Sequence, residues 1–303
     1  MTPDPNKTYL VNISGGKDST AMWLYLKRDL GLPNLIPMFS DTGWEHPLTY
    51  EYLDYLEQKL GPLVRVKYDL DFVGLAAKKG IFPSTKTRFC TQKLKMEPAR
   101  DWINAQLEAG AFVREDLVQC SGVRHEESPA RAKMGEWVEK DDYHGLKQWR
   151  PILTWTWQEV FAMHDKHDVK PNPLYKLGMG RVGCMPCIMS NLPELGEIAR
   201  RFPEVVDKVE AAEERVEEFR KASGRSHRQA SFFHAETIPE RFRSRTYVLE
   251  SGETVKVCMA RDVFEYAKLE KPERLFGGAM TPLFTEPENE DLGVCSSIYG
   301  LCE

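Results

Sequence analysis

One stretch near the start of the chain decides its fold: Tyr9-Leu10-Val11-Asn12-Ile13-Ser14-Gly15-Gly16-Lys17-Asp18-Ser19. The apolar run over residues 9–13 predicts a buried β-strand, and the residues after position 19 have the pattern of a helix. Two glycines between a strand and a helix let the backbone approach an anion closely, and the first N–H groups of the helix carry partial positive charge. We therefore interpret residues 14–19 as a loop that binds the phosphate groups of ATP.

The charged residues of this loop fit the same interpretation. Lys17 can neutralise phosphate charge, and Asp18 can hold Mg²⁺. The loop differs from the longer Walker loop, whose first glycine precedes the Gly-Lys pair by about five residues. An ordinary glycine turn is the alternative interpretation. We expect the nucleotide to be bound by Ser14, Gly15, Gly16, Lys17, Asp18 and Ser19, of which Lys17 and Asp18 are also candidate catalytic residues.

The alternation of strand and helix patterns predicts the architecture. Apolar, β-rich runs over residues 9–13, 35–39, 64–68 and 117–121 are separated by helical patterns over 19–30, 47–60, 72–79 and 96–109. This order is typical of an α/β protein with a doubly wound parallel sheet, in which ligands bind beyond the carboxyl ends of the strands. Asp41 follows the second strand. It could hold Mg²⁺ or the nucleotide there, or it could cap the next helix.

Composition bounds the class of protein. The chain has 303 residues, of which 42% are hydrophobic and 29% charged, so it can bury one large core or two modest ones. A net charge of -5 gives no global signature of nucleic-acid binding, so any such surface must be local. We see no membrane-spanning run and no signal peptide, and we expect a soluble cytoplasmic protein without membrane association. The oligomeric state is left open.

The pattern of predicted secondary structure changes near residue 191. A long helical pattern begins at Pro203 and ends at Ser223-Gly224, and a hairpin pattern follows around Ser251-Gly252. We predict two domains: a nucleotide-binding domain with a cysteine motif over residues 1–190, and a helical and hairpin region with terminal cysteines over residues 191–303.

The cysteines give the second signal. Seven cysteines in a chain without a secretion signal favour thiol, metal or redox chemistry over a disulfide framework. Cys184-Met185-Pro186-Cys187 has the spacing that lets two thiolates bind one metal ion or cluster. Two thiols without a metal, or a zinc site, are the alternatives. Cys120 and Cys258 lie in apolar patterns and are predicted to be buried.

Several motifs resemble known families. Residues 14–19 resemble the PP-loop of ATP pyrophosphatases, which implies an adenine nucleotide alpha-hydrolase-like fold and cleavage between the α and β phosphates. The broader resemblance, over residues 9–189, is to the phosphoadenosine phosphosulfate (PAPS) reductase-like family. It rests on Asp41-Thr42-Gly43, Arg88-Phe89-Cys90, Gly122-Val123-Arg124, Arg150-Pro151-Ile152, and the stretch from Asn172-Pro173-Leu174-Tyr175 to Cys187.

This resemblance implies roles for individual residues. Arg124 corresponds to the arginine of the family's Gly-Val-Arg motif and would meet the α-phosphate or the substrate; a salt bridge to Glu126 or Glu127 is the alternative. An iron–sulfur cluster, most simply [4Fe–4S], would be bound by Cys90, Cys184 and Cys187. Cys295 and Cys302 near the end of the sequence are the candidates for a further ligand. We favour Cys295 as this ligand and Cys302 as a mobile sulfur carrier, and the reverse assignment stays open.

Two departures from the reductases matter. Reductases that carry a cluster usually have two adjacent cysteines where this chain has Cys90-Thr91, so one ligand must come from elsewhere. They also lack the lysine and aspartate of the loop, whereas Lys17 and Asp18 are present here. The combination resembles the iron–sulfur ATP pyrophosphatase component of DNA phosphorothioation systems and iron–sulfur nucleic-acid thiolases.

The resemblance implies ATP-dependent adenylation with pyrophosphate release, coupled to iron–sulfur-assisted transfer of sulfur to a nucleic acid, DNA or RNA. A cysteine desulfurase would supply the sulfur. A sulfonucleotide reductase and a non-catalytic subunit that binds ATP and a cluster are the alternatives. Local support for a nucleic acid comes from a basic segment that is also compatible with a charged connector, and it contains Arg225, Arg228, Phe232, Phe233, Arg241, Phe242, Arg243 and Arg245.

Overall fold

The computed structural model describes residues 3–141, 144–224, 230–234, 237–248 and 251–269. The chain divides into two compact units that interleave along the sequence. The first unit comprises Met1–Asp69, Thr91–Pro173 and Arg181–Gly183. The second comprises Leu70–Cys90, Leu174–Gly180 and Cys184–Glu303. The domain boundary at residue 190 stays a prediction. Three stretches before it belong to the second unit: residues 70–90, 174–180 and 184–190.

The described residues form the following elements. The strands are β1 (Thr8–Ile13), β2 (Leu35–Asp41), β3 (Val64–Lys67), β4 (Leu117–Cys120), β5 (Trp137–Val138), β6 (Lys147–Trp149), β7 (Arg245–Val248) and β8 (Thr254–Val257). The α-helices are α1 (Lys17–Leu24), α2 (Pro47–Leu60), α3 (Phe72–Lys79), α4 (Phe89–Thr91), α5 (Glu97–Glu108), α6 (Trp157–Lys166), α7 (Leu192–Arg201), α8 (Pro203–Ala222) and α9 (Ala260–Ala267).

The first unit is built on a six-stranded sheet with the order β3-β2-β1-β4-β6-β5. All neighbouring strands are parallel except β5, which pairs with β6 in antiparallel orientation at the edge. The chain builds outward from β1 through β2 to β3 and then returns to the other side of β1 with β4. The carboxyl ends of β1 and β4 therefore flank the point where the strand order reverses, which is where ligands bind in doubly wound sheets. The predicted fold is confirmed.

Apolar burial explains why β1 lies at the centre of this unit. Tyr9 and Val11 are almost fully buried, and Trp23 of α1 packs into the same core. The helical pattern after β1 is confirmed with one modification. Helix α1 ends at Leu24, and a wider π-helical turn over Tyr25–Asp29 completes it.

The second unit contains α3, α7, α8, α9 and the two-stranded antiparallel sheet of β7 and β8. Its core includes a cluster of phenylalanine rings, in which Phe232 lies 5.8 Å from Phe72 and 5.2 Å from Phe82 between ring centroids. Helix α8 ends before Gly224, whose positive φ of 70° fits the predicted glycine stop. Among the described residues, no helix is both long enough and apolar enough to span a membrane.

Candidate functional site

The loop after β1 is closed by hydrogen bonds between its own residues. The backbone N–H of Ser14 donates to Ser19 Oγ over 3.1 Å, and the two serine hydroxyl oxygens lie 3.2 Å apart. The Ser19 hydroxyl donates to the carbonyl oxygen of Gly16 over 3.1 Å. Helix α1 begins immediately after Gly16, which is its N-cap in extended conformation. The loop therefore presents the N-terminus of a helix at the edge of the sheet where β1 ends.

Two glycines make this arrangement possible. Gly15 has a φ of 74°, and a Cβ atom there would lie 3.0 Å from Cγ2 of Thr49 on α2. Gly122 follows β4, and its Cβ would lie 3.1 Å from the carbonyl carbon and oxygen of Asp18. Both distances are too short for ordinary packing, so a side chain at either position would push the loop away. The segment after β4 thus approaches the loop backbone as closely as glycine allows.

The charged residues of the loop meet Arg124 from the segment after β4. Asp18 accepts hydrogen bonds from Lys17 Nζ over 2.7 Å and from Arg124 Nε over 2.6 Å. Lys17 and Arg124 are each only 4% exposed. The sequence placed both cations near the phosphates, and the structure brings them to one carboxylate.

Arg124 also forms a salt bridge to Glu126, which was the alternative interpretation of this residue in the sequence. Its Nη1 bonds to the carboxylate of Glu126 and donates to the carbonyl oxygen of Trp155 over 3.1 Å. Burial alone would lower the pKa of Arg124, but Asp18 and Glu126 outweigh this effect and raise it. The guanidinium is therefore permanently charged and held at the edge of the loop. The paired charges of Lys17, Asp18, Arg124 and Glu126 sum to zero.

Asp41 ends β2 and does not cap the next helix. Its Oδ1 accepts hydrogen bonds from the backbone N–H of Gly43 over 2.8 Å and from the Tyr50 hydroxyl over 2.7 Å. Helix α2 is capped by His46 instead, whose Nδ1 accepts the N–H of Leu48. The helix-capping alternative is therefore wrong. Burial and the neighbouring carboxylates raise the pKa of Tyr50, so its hydroxyl stays protonated as a donor to Asp41.

The cysteines of the predicted cluster site lie in the second unit. Cys90, Cys184 and Cys187 are half-buried thiols, and the N–H of Cys187 donates to Ser190 Oγ over 3.3 Å. Thiolates are the usual ligands of iron–sulfur clusters, so the donor chemistry fits. Within the ranges that the structure describes, no three His, Cys, Asp or Glu side chains converge into a metal-binding group. The cluster ligands stay a prediction.

Cys295 and Cys302 lie outside the described residues, as do Arg225 and Arg228. Cys120 and Cys258 are buried, as the sequence predicted, and burial raises the pKa of each thiol.

The basic segment of the second unit is only partly available for stacking. Phe232 and Phe233 are 3% and 7% exposed and belong to the core, so they cannot stack on a base. Phe242 is 36% exposed, with the Arg241 guanidinium 5.0 Å from its ring centroid. Arg245 is exposed on β7. Among the described residues of this segment, fewer aromatic rings can therefore stack on a base than the sequence predicted.

Two contributors to the site were missed in the sequence, Tyr50 and His164, and a third, Asn172, was quoted there only as part of a motif, without a role. Tyr50 could have been noticed because it lies one turn into the helix that follows Asp41. His164 and Asn172 contact the loop backbone across sequence separations of 147 and 157 residues. No local pattern signals these two contacts.

Comparison with known proteins gives the following matches. The family model described as phosphoadenosine phosphosulfate reductase domain matches residues 8–190. An uncharacterized 37.8 kDa protein of Escherichia phage 186 is 35% identical, and the alignment covers 97% of this chain and 96% of the phage protein. An adenosine 5′-phosphosulfate reductase of Anoxybacillus flavithermus is 28% identical over 50% of this chain and 60% of the reductase.

Several other relatives are likewise covered over less than two thirds of their length, from 41% to 65%. Among solved structures, phosphoadenylyl-sulfate (PAPS) reductase from Candida auris in a phosphate complex matches with a TM-score of 0.43 and 21% identity. That match covers 58% of this chain and 81% of the reductase chain.

Proposed function

The chain belongs to the phosphoadenosine phosphosulfate reductase domain family, and from that premise we propose that it is an ATP pyrophosphatase that activates a substrate for sulfur transfer. Membership of the family supports an enzyme of sulfur transfer or nucleotide reduction. The choice between these two reactions depends on whether the loop uses ATP.

The observation that carries the proposal is the buried pair of cations at the loop. Lys17 and Arg124 both contact Asp18 at the N-terminus of α1, beside the glycine-rich backbone. A substrate that is already activated needs no group to stabilise departing pyrophosphate, whereas ATP cleavage requires positive charge on the leaving phosphates. An intact Lys17 and Asp18 therefore favour ATP as the substrate.

The first reaction step uses the residues of the first unit. An oxygen of the acceptor attacks the α-phosphorus, the new P–O bond forms, and the bond to the bridging oxygen of the β-phosphate breaks. Pyrophosphate takes the bonding electrons and is stabilised by Lys17 and the N–H groups of the loop. Arg124 neutralises charge on the α-phosphate. Asp18, and Asp41 at the end of β2, would hold Mg²⁺, which would neutralise charge on the phosphates.

The second step transfers sulfur. A persulfide, supplied by a donor such as a cysteine desulfurase, forms a bond from its outer sulfur to the activated acceptor atom, and AMP leaves with the former acceptor oxygen. A dithiol then reduces the remaining S–S bond, which leaves the sulfur on the acceptor, returns the carrier thiol and oxidises the dithiol to a disulfide. Cys90, Cys184 and Cys187 would hold an iron–sulfur cluster, with Cys295 or Cys302 as fourth ligand. When bound, such a cluster supplies a place to bind and activate sulfur. Cys302 is the candidate sulfur carrier if Cys295 is the ligand.

We propose a nucleic acid as acceptor because the second unit has exposed cationic and aromatic groups on one segment. Arg241, Phe242 and Arg245 are exposed there. Arginine can bind backbone phosphates, and an exposed ring can stack on an unpaired base. DNA and RNA share this chemistry.

The test is an anaerobic assay of the purified chain. Iron and sulfide are quantified, and pyrophosphate release from ATP is followed with no acceptor, with DNA and with RNA. The proposal predicts bound iron and sulfide, and pyrophosphate release that one nucleic acid stimulates. Pyrophosphate release that neither nucleic acid changes would overturn the acceptor, and iron-free protein would overturn the cluster.

Reduction of a sulfonucleotide is the second candidate function, and the likeness to adenosine 5′-phosphosulfate reductases favours it. In that reaction the same loop would bind the phosphosulfate and no ATP would be consumed. The same preparation is therefore incubated with adenosine 5′-phosphosulfate and a dithiol. Sulfite release without pyrophosphate release from ATP would replace our proposal by this one.

A further inference from the structure

The backbone of the phosphate loop is held from behind by a buried amide. Asn172 is 1% exposed, and its Nδ2 donates to the carbonyl oxygen of Gly15 over 3.1 Å. In a trans peptide the C=O and N–H groups point in opposite directions. A side chain that binds the Gly15 carbonyl from one side therefore directs the N–H of Gly16 to the other side, where it reaches Ser14 Oγ at 3.3 Å. Because Gly15 precedes the helix, no helical hydrogen bond sets this peptide plane.

A buried imidazole holds the first turn of the helix in the same way. His164 is fully buried, with Nε2 lying 2.9 Å from the carbonyl oxygen of Lys17 and Nδ1 lying 3.1 Å from that of Val169. Burial lowers the pKa of His164, so the ring is neutral and carries one N–H. The shorter contact, to Lys17, is the better place for that proton.

Both side chains come from one segment, which has its own anchors. The chain turns sharply after α6 at Asp168, a non-glycine residue with a positive φ of 50°. The N–H of Val169 donates to the carbonyl oxygen of His164 over 3.0 Å, and the N–H of Lys170 donates to the Tyr55 hydroxyl on α2 over 3.0 Å. The segment is thus fixed to elements of the sheet unit before it reaches the loop.

We propose that Asn172 and His164 are positioning residues, which hold the loop backbone in the conformation that binds the nucleotide phosphates. Asn172 orients the peptide between Gly15 and Gly16, and His164 fixes the first turn of α1 through Lys17. The choice of a nucleotide as ligand rests on the function proposed above; the positioning of the backbone does not. Neither residue touches the ligand in this account.

The test combines a ligand-free measurement with an affinity. Amide resonances of Gly16 and Asp18 are recorded by nuclear magnetic resonance in Asn172→Leu and His164→Leu proteins, and ATP affinity is measured by calorimetry. We expect the Gly16 resonance to move in Asn172→Leu and the Asp18 resonance in His164→Leu, with ATP binding about tenfold weaker in each. The matched control is His167→Leu, since His167 contacts Asp29 and not the loop.

Conservative variants separate positioning from simple filling of the core. His164→Gln places an amide donor near the position of Nε2 and is expected to restore ATP affinity to within about twofold of the wild type, since the hydrogen bond is kept. If the leucine variant at position 172 does not fold, Asn172→Ala removes the donor without adding bulk or charge.

Failure of the positioning role and failure of the proposed function give different results in these measurements. Unchanged Gly16 and Asp18 resonances, or equal effects of glutamine and leucine at position 164, would overturn the positioning role. Shifted resonances in a protein whose wild type does not bind ATP would uphold the positioning role and overturn the proposed function instead.

Discussion

The phosphate loop and the cysteine motif are both short signals in the sequence, but the structure organises their side chains to different degrees. At the loop, Lys17 and Arg124 both bond to Asp18, and all three side chains are largely buried. Cys184 and Cys187 are half-buried thiols, and the part of the chain that the structure describes contains no converged group of metal-binding side chains. The first site is made mostly of consecutive backbone, which folds with the strand and helix. A thiolate site must collect side chains from distant segments.

This difference shows which kind of site a protein chain can organise without a bound metal. Anion binding by a helix N-terminus uses groups that the fold has already oriented. Thiolates repel one another, and binding of the metal is what brings them together in many proteins. The two sites should therefore respond independently to mutation.

The largest expected effect tests that independence. Lys17→Ala should lower the rate of pyrophosphate release by at least about 100-fold, because a buried charge that stabilises the leaving group is lost. Iron and sulfide content should be unchanged. Lys27→Ala, at an exposed position after the same helix, is the control.

The converse variant alters the cysteines. With Cys184 and Cys187 both replaced by alanine, iron content should fall while ATP binding is retained. Loss of ATP binding in this variant, or loss of iron in Lys17→Ala, would contradict the division between the two sites.

A steric change should destabilise the second unit. A Cβ at Gly196 of α7 would lie 2.5 Å from the carbonyl oxygen of Ala267, at the end of α9. Because the backbones of α7 and α9 can separate only at a cost in packing, Gly196→Ala should lower the free energy of unfolding by about 3 kcal/mol. Thermal and urea unfolding would measure it. A melting temperature equal to that of the wild type would show that these helices are not packed as described.

A buried carboxylate should make the stability of the second unit depend on pH. Burial raises the pKa of Glu213 from 4.5 to about 7, although the N–H groups of Phe232 and Ala260 bond to it. The native state therefore binds a proton that the unfolded state has released. The contribution of Glu213 to the free energy of unfolding should be largest below pH 4.5. It should fall by up to about 3 kcal/mol as the pH rises through 7.

Glu213→Gln isolates this contribution. The variant should flatten the dependence of unfolding free energy on pH between about pH 5 and pH 8. Glu214→Gln, at the exposed neighbouring position, should leave the slope unchanged. Equal slopes in Glu213→Gln and the wild type would show that Glu213 does not titrate in this range.

The smallest expected effect concerns the close approach of Gly122 to the backbone of the loop at Asp18. Gly122→Ala would place a methyl group 3.1 Å from the Asp18 backbone, and we expect a loss of about 2 kcal/mol in stability together with weaker nucleotide binding. Gly135→Ala is the matched control, because its Cβ would meet only an ordinary contact at 3.6 Å. If both variants bind nucleotide like the wild type, the loop tolerates displacement.

Much of the first unit could be predicted from the sequence. The strands β1 to β4 lie within two residues of the predicted runs, because strands buried in a parallel sheet are nearly continuous apolar segments. Strands β5 and β6, with two and three residues, are too short to give a pattern. The loop was predicted because its residues are consecutive.

The rest of the site depends on tertiary contacts. The shared carboxylate of Asp18 requires Arg124 to fold onto the loop from 106 residues away. The role of Asp41 was ambiguous because a carboxylate after a strand suits both a ligand and a helix cap, and only the position of His46 decided against the cap. The aromatic residues of the basic segment looked accessible because sequence does not reveal that the second unit buries Phe232 and Phe233.

The central claim, that the loop cleaves ATP between its α and β phosphates, is tested most directly by product identity. ATP labelled at the α-phosphorus is incubated with the anaerobic protein, Mg²⁺ and the stimulating nucleic acid, and the labelled products are separated. The account predicts adenylated acceptor and AMP in amounts that together equal the pyrophosphate released, and their loss in Lys17→Ala. Labelled ADP, or unchanged ATP in a preparation that reduces adenosine 5′-phosphosulfate, would contradict it.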